Sequence, residues 1–162
     1  MHPSVHFDIK RGRQYCTIAS VPLTDITLLD PTTAAPLLDG EWLTYDPANP
    51  GKLMQDVGTN PAVVRTFCVD TEKGRSETQV NGMTDIIRMG EYQGNTKIYT
   101  PGALVINDFL MVNDVTYPAG SALTRRGLVK ATSGGFVVAQ VIAIDATNGI
   151  LTFQTLSGWI VA

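Results

Sequence analysis

The sequence predicts an all-β fold, a small β-barrel or sandwich of short strands and tight turns with an extended N-terminal arm. Three observations carry that prediction. Nine Pro and fifteen Gly interrupt the 162 residues so often that no amphipathic helix of ordinary length survives. The intervals between them hold short runs with period-two alternation or β-branched enrichment, such as "EWLTY", "AVVRTFCV", "FVVAQVIAI" and "ILTFQTL". Strong turn signals separate the runs: "YDPANPG", "DVGTNP", "YQGN", "YPAG", "TSGG" and "DATNG".

Residues 1–25 read as an arm, and residues 26–162 as the β-barrel domain. The start, "MHPSVHFDIKRGRQ", is polar and basic; the β-prone "QYCTIAS" after it suits addition to a neighbouring sheet edge. The other reading of this stretch is a first barrel strand preceded by a frayed tail. "LDPTTAAPLLDG" then forms a Pro/Ala loop.

Two modules follow that resemble each other. "GEWLTYDPANPGKLMQD" reads as strand, turn and strand, and "YPAGSALTRRGLVKAT" reads as a tighter version of the same unit. Each leads into a run that is apolar on both faces, "AVVRTFCVD" or "FVVAQVIAID", and so belongs in the core. The Asp and Gly of "DTEKG" and "DATNG" suit tight turns into the next strand. Between the modules, "TDIIRMGEY" and "NTKIYT" supply further strands, with Lys97 and Tyr99 opposite Thr96, Ile98 and Thr100. Val64, Phe67, Val138, Val141, Ile142, Ile144, Leu151 and Phe153 are the expected core.

A net charge of −3 gives no reason to expect nucleic-acid binding. No apolar stretch approaches the roughly 20 residues of a membrane-spanning helix. The first residues lack the apolar region of a secretory signal, so synthesis in a cytosol is expected. Cys16 and Cys68, far apart and within β-like runs, read as small buried hydrophobes.

Chemistry is hard to place. His2 and His6 are the only histidines, and Pro3 between them disfavours the helix that would present both to a metal. A Ser-His or Cys-His site would have to use that same segment, and neither a G-x-S-x-G nor a phosphate-loop pattern occurs. The scattered aspartates, among them Asp25, Asp30, Asp46, Asp108 and Asp145, fit turn capping. The expectation is therefore a non-enzyme with no catalytic residue, metal or cofactor, working by contact.

The second half resembles small head proteins of tailed bacteriophages. The matching elements are the Gly-x-Tyr step Gly90–Tyr92, Gly120–Thr124, Gly127–Ala131, Gly135–Ile144 and the closing Asp145–Phe153. A looser version spans Gly40 to Asp70, and the likeness covers about two-thirds of the chain. The family is that of capsid decoration, or cement, proteins. The resemblance implies a virion structural protein on the outer capsid surface that clamps major capsid protein subunits, commonly as a trimer. The long N-terminal segment and the Pro-rich loop depart from the simplest members. Lys10, Arg11, Arg13, Tyr15 and Ile18 are the candidate capsid-binding residues of the arm, and Trp159 and Ile160 the candidate oligomer contacts. Two competing readings are a tail, baseplate or head–tail connector component, and a carbohydrate-binding β-domain with Trp42, Tyr45 or Trp159 stacking on sugars.

Overall fold

A computed structural model describes residues 7–12, 17–30, 32, 34–55, 66–67, 82–89 and 91–160. The strands are β1 (Phe7–Arg11), β2 (Thr17–Pro22), β3 (Trp42–Tyr45), β4 (Leu53–Gln55), β5 (Thr66–Phe67) and β6 (Met83–Met89). They continue as β7 (Gln93–Thr96), β8 (Phe109–Thr116), β9 (Thr124–Lys130), β10 (Phe136–Asp145) and β11 (Ile150–Ile160). A single 3-10 turn, Ile26–Leu29, is the one helical element among the described residues. The protein is all-β.

Six strands form one antiparallel sheet in the order β1-β7-β11-β10-β8-β9, while β2 pairs with β6 and β3 lies between β4 and β5. Strands β1 and β9 end the large sheet without pairing to each other, so it is open. The architecture is sandwich-like, and the closed-barrel form of the expectation does not hold.

Alternation explains how the small sheets pack. Successive strand residues point to opposite faces. In β3, Trp42 joins an apolar cluster with Phe7, Tyr92, Val138, Leu151 and Phe153, while Leu43 joins a second cluster with Val21, Leu23, Leu37 and Leu53. β6 divides in the same way, sending Ile87 to the first cluster and Ile86 to the second. β3 and β6 thus present apolar side chains on both faces. Burial of these side chains stabilises the packing, at about 25 cal/mol per Å² of apolar surface removed from water.

The register of the large sheet sorts its two faces. Phe7 lies opposite Thr96, which lies opposite Leu151 and then Ile144; the next inward row is Ile9, Gly94, Phe153 and Val141. At Gly94 the absence of a side chain is required. A Cβ there would sit 2.8 Å from the rings of both Phe7 and Phe153. Those rings, with Tyr92 and Trp42, form an aromatic group with centroids 6.1–6.4 Å apart.

Several expectations are met and others corrected. β10 is central, flanked by β11 and β8, and Val138, Val141, Leu151 and Phe153 are buried. Ile142 and Ile144 are half-buried. Val64, Cys16 and Cys68 lie outside the described residues, as does the Phe67 side chain. The β10–β11 turn is capped as expected, Asp145 accepting from the Asn148 backbone N–H at 3.1 Å and its side-chain amide at 2.7 Å. The second module is not a hairpin. "TRRGLVK" is one straight strand, β9, whose partner is β8.

The stretch expected as an arm also differs in its described part. Residues 7–11 are a terminal strand of the large sheet with Phe7 buried (6 % exposed), and residues 17–22 pair with β6. The physical reason is the alternation Phe7, Ile9 against Asp8, Lys10, which gives this basic segment one apolar face to bury.

Candidate interaction surface

The outward face of the large sheet carries a polar row that crosses five strands. Arg11 lies opposite Gln93, Gln93 opposite Gln154, Gln154 opposite Gln140, and Gln140 opposite Phe109. Residues paired across antiparallel strands share a face. Arg11 and Phe109 are exposed at the two ends, and the three glutamines between them are half-exposed. One neighbouring row holds Asp8, Asn95, Thr152 and Ala143, with the Thr152 hydroxyl donating to the Asn95 side-chain oxygen Oδ1 at 2.7 Å. The face therefore runs from a cation at the β1 edge, through uncharged amides, to an aromatic ring on β8.

The turn before β8 extends the apolar end. Val105 and Ile106 are each 60 % exposed, whereas most of the large aliphatic residues described are buried. They are held firmly. Asp108 accepts from the Val105 N–H at 2.9 Å and from Lys130 Nζ at 2.9 Å. Its carboxyl stays below the usual carboxylate range because of the Lys130 contact first and the Val105 N–H second. The Asn107 N–H donates to the Val141 carbonyl at 3.0 Å, and the Gln140 amide donates to the Asn107 carbonyl at 3.1 Å. A turn so constrained presents Val105 and Ile106 at little further entropic cost to binding.

The residues singled out in the sequence scatter across this geometry. Lys10 and Arg11 are exposed on β1, where a bulge between Ile9 and Arg11 bends the edge. A bulge with flanking charge is a common device against indiscriminate strand addition, which favours side-chain contact over backbone pairing at this edge. Arg13 and Tyr15 lie outside the described residues, as does the side chain of Ile18, whose backbone pairs with Ile87. The backbones of Trp159 and Ile160 pair with Val137 and Phe136; their side chains are likewise outside the description. Trp42 is 1 % exposed and Tyr45 packs on the second cluster, so Trp42 offers no platform to a sugar. Trp42 is a core residue, and the competing carbohydrate-binding reading loses it as a stacking platform.

Five of the described aspartates are spent on turns, as their spacing suggested. Asp25, Asp30, Asp46, Asp108 and Asp145 each accept from a backbone N–H two or three residues away. Among the described residues no group of three His, Cys, Asp or Glu is placed to hold a metal; His2 and His6 lie outside them.

Sequence reasoning missed one charged pair entirely. Glu41 and Arg125, 0 % and 3 % exposed, meet at 2.8 Å between the first module and β9. Glu41 also accepts from the Leu38 N–H at 3.0 Å and the Gln55 amide at 3.1 Å, while Arg125 donates to the Pro36 carbonyl. Burial pushes the Glu41 carboxyl up despite these partners. Its role is architectural, tying the Pro36–Glu41 segment to the large sheet.

A cleft of about 590 Å³ opens at the end of the large sheet, beside the β10–β11 turn. Compared with known proteins, the chain matches no protein-family model, and no curated protein is significantly similar to it.

Proposed function

We propose that the protein is a non-enzymatic virion structural protein that binds the outer surface of an icosahedral phage capsid and clamps major capsid protein subunits. The observation that carries this reading is the outward row from Arg11 to Phe109, flanked by the locked Val105–Ile106 turn. A rigid sheet with a cation at one end and exposed apolar groups at the other suits repeated contact with a lattice. Such contact stabilises a shell by mass action when it engages only the assembled form. The resemblance of the second half to capsid decoration proteins points the same way. It also favours self-association as a trimer, with Trp159 and Ile160 as candidate contacts. The anchor is placed here on the sheet face, with Lys10 and Arg11 contributing charge from β1.

Co-sedimentation with capsids stripped of decoration tests the reading. Phe109→Ser and Ile106→Ser should each lower occupancy at every salt concentration. Arg11→Glu should lower it most at low ionic strength, because exposed charge contacts are screened over about 10 Å at 0.1 M salt. Wild-type occupancy by all three variants would defeat the assignment of this face. Failure of the wild-type protein to co-sediment with any capsid would defeat the capsid role itself.

A further inference from the structure

The turn that closes the central hairpin carries an Asn-Gly pair, Asn148–Gly149, in the stretch "DATNG". The β10–β11 ladder ends at the pair Asp145 and Ile150, so residues 146–149 lie outside it, and all four are exposed to water. Gly149 adopts φ +63°, and a Cβ placed on it would find nothing within 4 Å, so the main chain there is unpacked. Its N–H makes no hydrogen bond among the described residues.

These features leave the chain open to a reaction with itself. The Gly149 nitrogen is the next main-chain nitrogen after the Asn148 side chain, and its attack on the amide carbon closes a five-membered ring. A hydrogen bond or close packing would withhold that nitrogen; here it has neither. The turn also supplies a brake. Asp145 accepts from the Asn148 N–H at 3.1 Å and from its side-chain amide at 2.7 Å. The amide must give up the second contact to turn toward Gly149. One exposed hydrogen bond of this kind holds the reaction back by roughly tenfold.

We infer that Asn148 is a site of spontaneous deamidation whose rate is set by Asp145. The Gly149 nitrogen bonds to Asn148 Cγ and loses its proton to solvent. The Cγ–Nδ2 bond breaks, and solvent returns a proton to the departing nitrogen, which leaves as ammonia. Water then opens the resulting succinimide at either carbonyl, giving aspartate or isoaspartate, with no change of oxidation state. The formal net charge falls by one from −3. A carboxylate oxygen now stands where Nδ2 donated to Asp145, so an attraction at 2.7 Å becomes a like-charge contact. Isoaspartate also inserts one methylene into the main chain of the turn. Buried Val141, Leu151 and Phe153 hold the two strands together beyond it, so the change is confined to the turn. The inference stands on this turn alone and is independent of the capsid reading.

The test is incubation of the full chain at mildly alkaline pH, folded and in urea, followed by isoelectric focusing and peptide mapping by mass spectrometry. In urea the local sequence alone sets the rate at Asn148, and the folded chain should react within about tenfold of it. The acidic product should map to position 148 as a mixture of aspartate and isoaspartate. Asp145→Ala should raise the folded rate to about that in urea, and Asp145→Asn, which keeps a neutral acceptor, should fall between. Asn148→Gln, whose amide would need a larger ring, should remove the product at this position. Melting temperatures near wild type will show that each variant folds. The mapping separates Asn148 from the other Asn-Gly pair, Asn81–Gly82. An intact Asn148 in the folded chain once the urea sample has reacted completely, or an acidic product confined to Asn81, would overturn the site. A folded rate unmoved by both Asp145 variants would overturn the brake.

Discussion

The two look-alike modules, residues 40–55 and 120–130, share a vocabulary but do not make the same structure. In the first, β3 turns back at Asp46 and pairs with β4. Asp46 fixes that turn by accepting from the Ala48 N–H at 2.8 Å, the Asn49 amide at 2.8 Å and the Thr24 hydroxyl at 2.6 Å. In the second, the "GSALT" that matches "GEWLT" is mostly turn, and the chain runs straight through Arg125–Arg126 into one strand against β8. A carboxylate at the bend makes a hairpin in one case; two arginines in its place leave an extended strand in the other. The modules then meet, because Glu41 of the first holds Arg125 of the second. Similar local patterns encode strands and turns, whereas the partner of each strand depends on side chains whose mates are distant in sequence.

Breaking that meeting point should have the largest effect. Arg125→Met leaves Glu41 buried without its counter-charge and should cost about 3–5 kcal/mol in urea unfolding. The double variant Glu41→Gln with Arg125→Met should recover much of the loss, since a buried pair replaced as a unit leaves no orphan charge. If the double variant is no better than Arg125→Met, the pair is not the joint between the modules.

The next effect concerns Phe7, which packs where the first module meets the large sheet. Gly40 abuts its Cβ and Gly94 its ring. Phe7→Ala should destabilise by about 3 kcal/mol or more, the usual cost of truncating a buried aromatic residue. A loss below about 1 kcal/mol would return the N-terminal segment to the status of a loose arm. Gly94→Ala should cost about 1–3 kcal/mol through overpacking, with no change in surface chemistry. The two together separate a lost contact from a forced one at the same aromatic group.

These residues also show what was legible in the sequence. The all-β class, the central position of β10 and the capped β10–β11 turn follow from short-range rules: alternation, apolar runs and Asx turns. Phe7 and Ile9 carried a readable alternation, but five basic or histidine side chains nearby made the segment look like a solvated arm. The need for Gly94 was not legible, because it arises only when rings from β1 and β11 converge on β7. Nor was the Glu41–Arg125 pair, whose members are 84 residues apart. The outward row from Arg11 to Phe109 is hidden for the same reason. Its members come from five strands, and only the register aligns them.

The smallest effects are those of pH, and they have opposite signs at the turn-capping carboxylates and at the buried one. Asp46 in the first module and Asp145 after the second both have lowered pKa values. The Thr24 hydroxyl is the main cause at Asp46 and the Asn148 side chain at Asp145. A carboxyl with a lowered folded-state pKa contributes stability that is full above the ordinary carboxylate range and is lost as pH falls through the lowered value. Glu41 works the other way. Burial outweighs its hydrogen bonds and the attraction of Arg125, so its folded-state pKa lies above the unfolded one. Its contribution is full below the ordinary Glu pKa and is lost as pH rises through the raised value. Urea unfolding across pH should therefore show two separable slopes. Asp46→Asn and Asp145→Asn should each flatten the acid limb below the carboxylate range, and Glu41→Gln should flatten only the limb above it. Arg125→Met should displace that upper limb to still higher pH, because the carboxylate loses the neighbour that favoured its charged form. A Glu41→Gln profile parallel to wild type throughout would mean that the buried carboxyl does not titrate separately, and that Arg125 holds it ionised over the whole range.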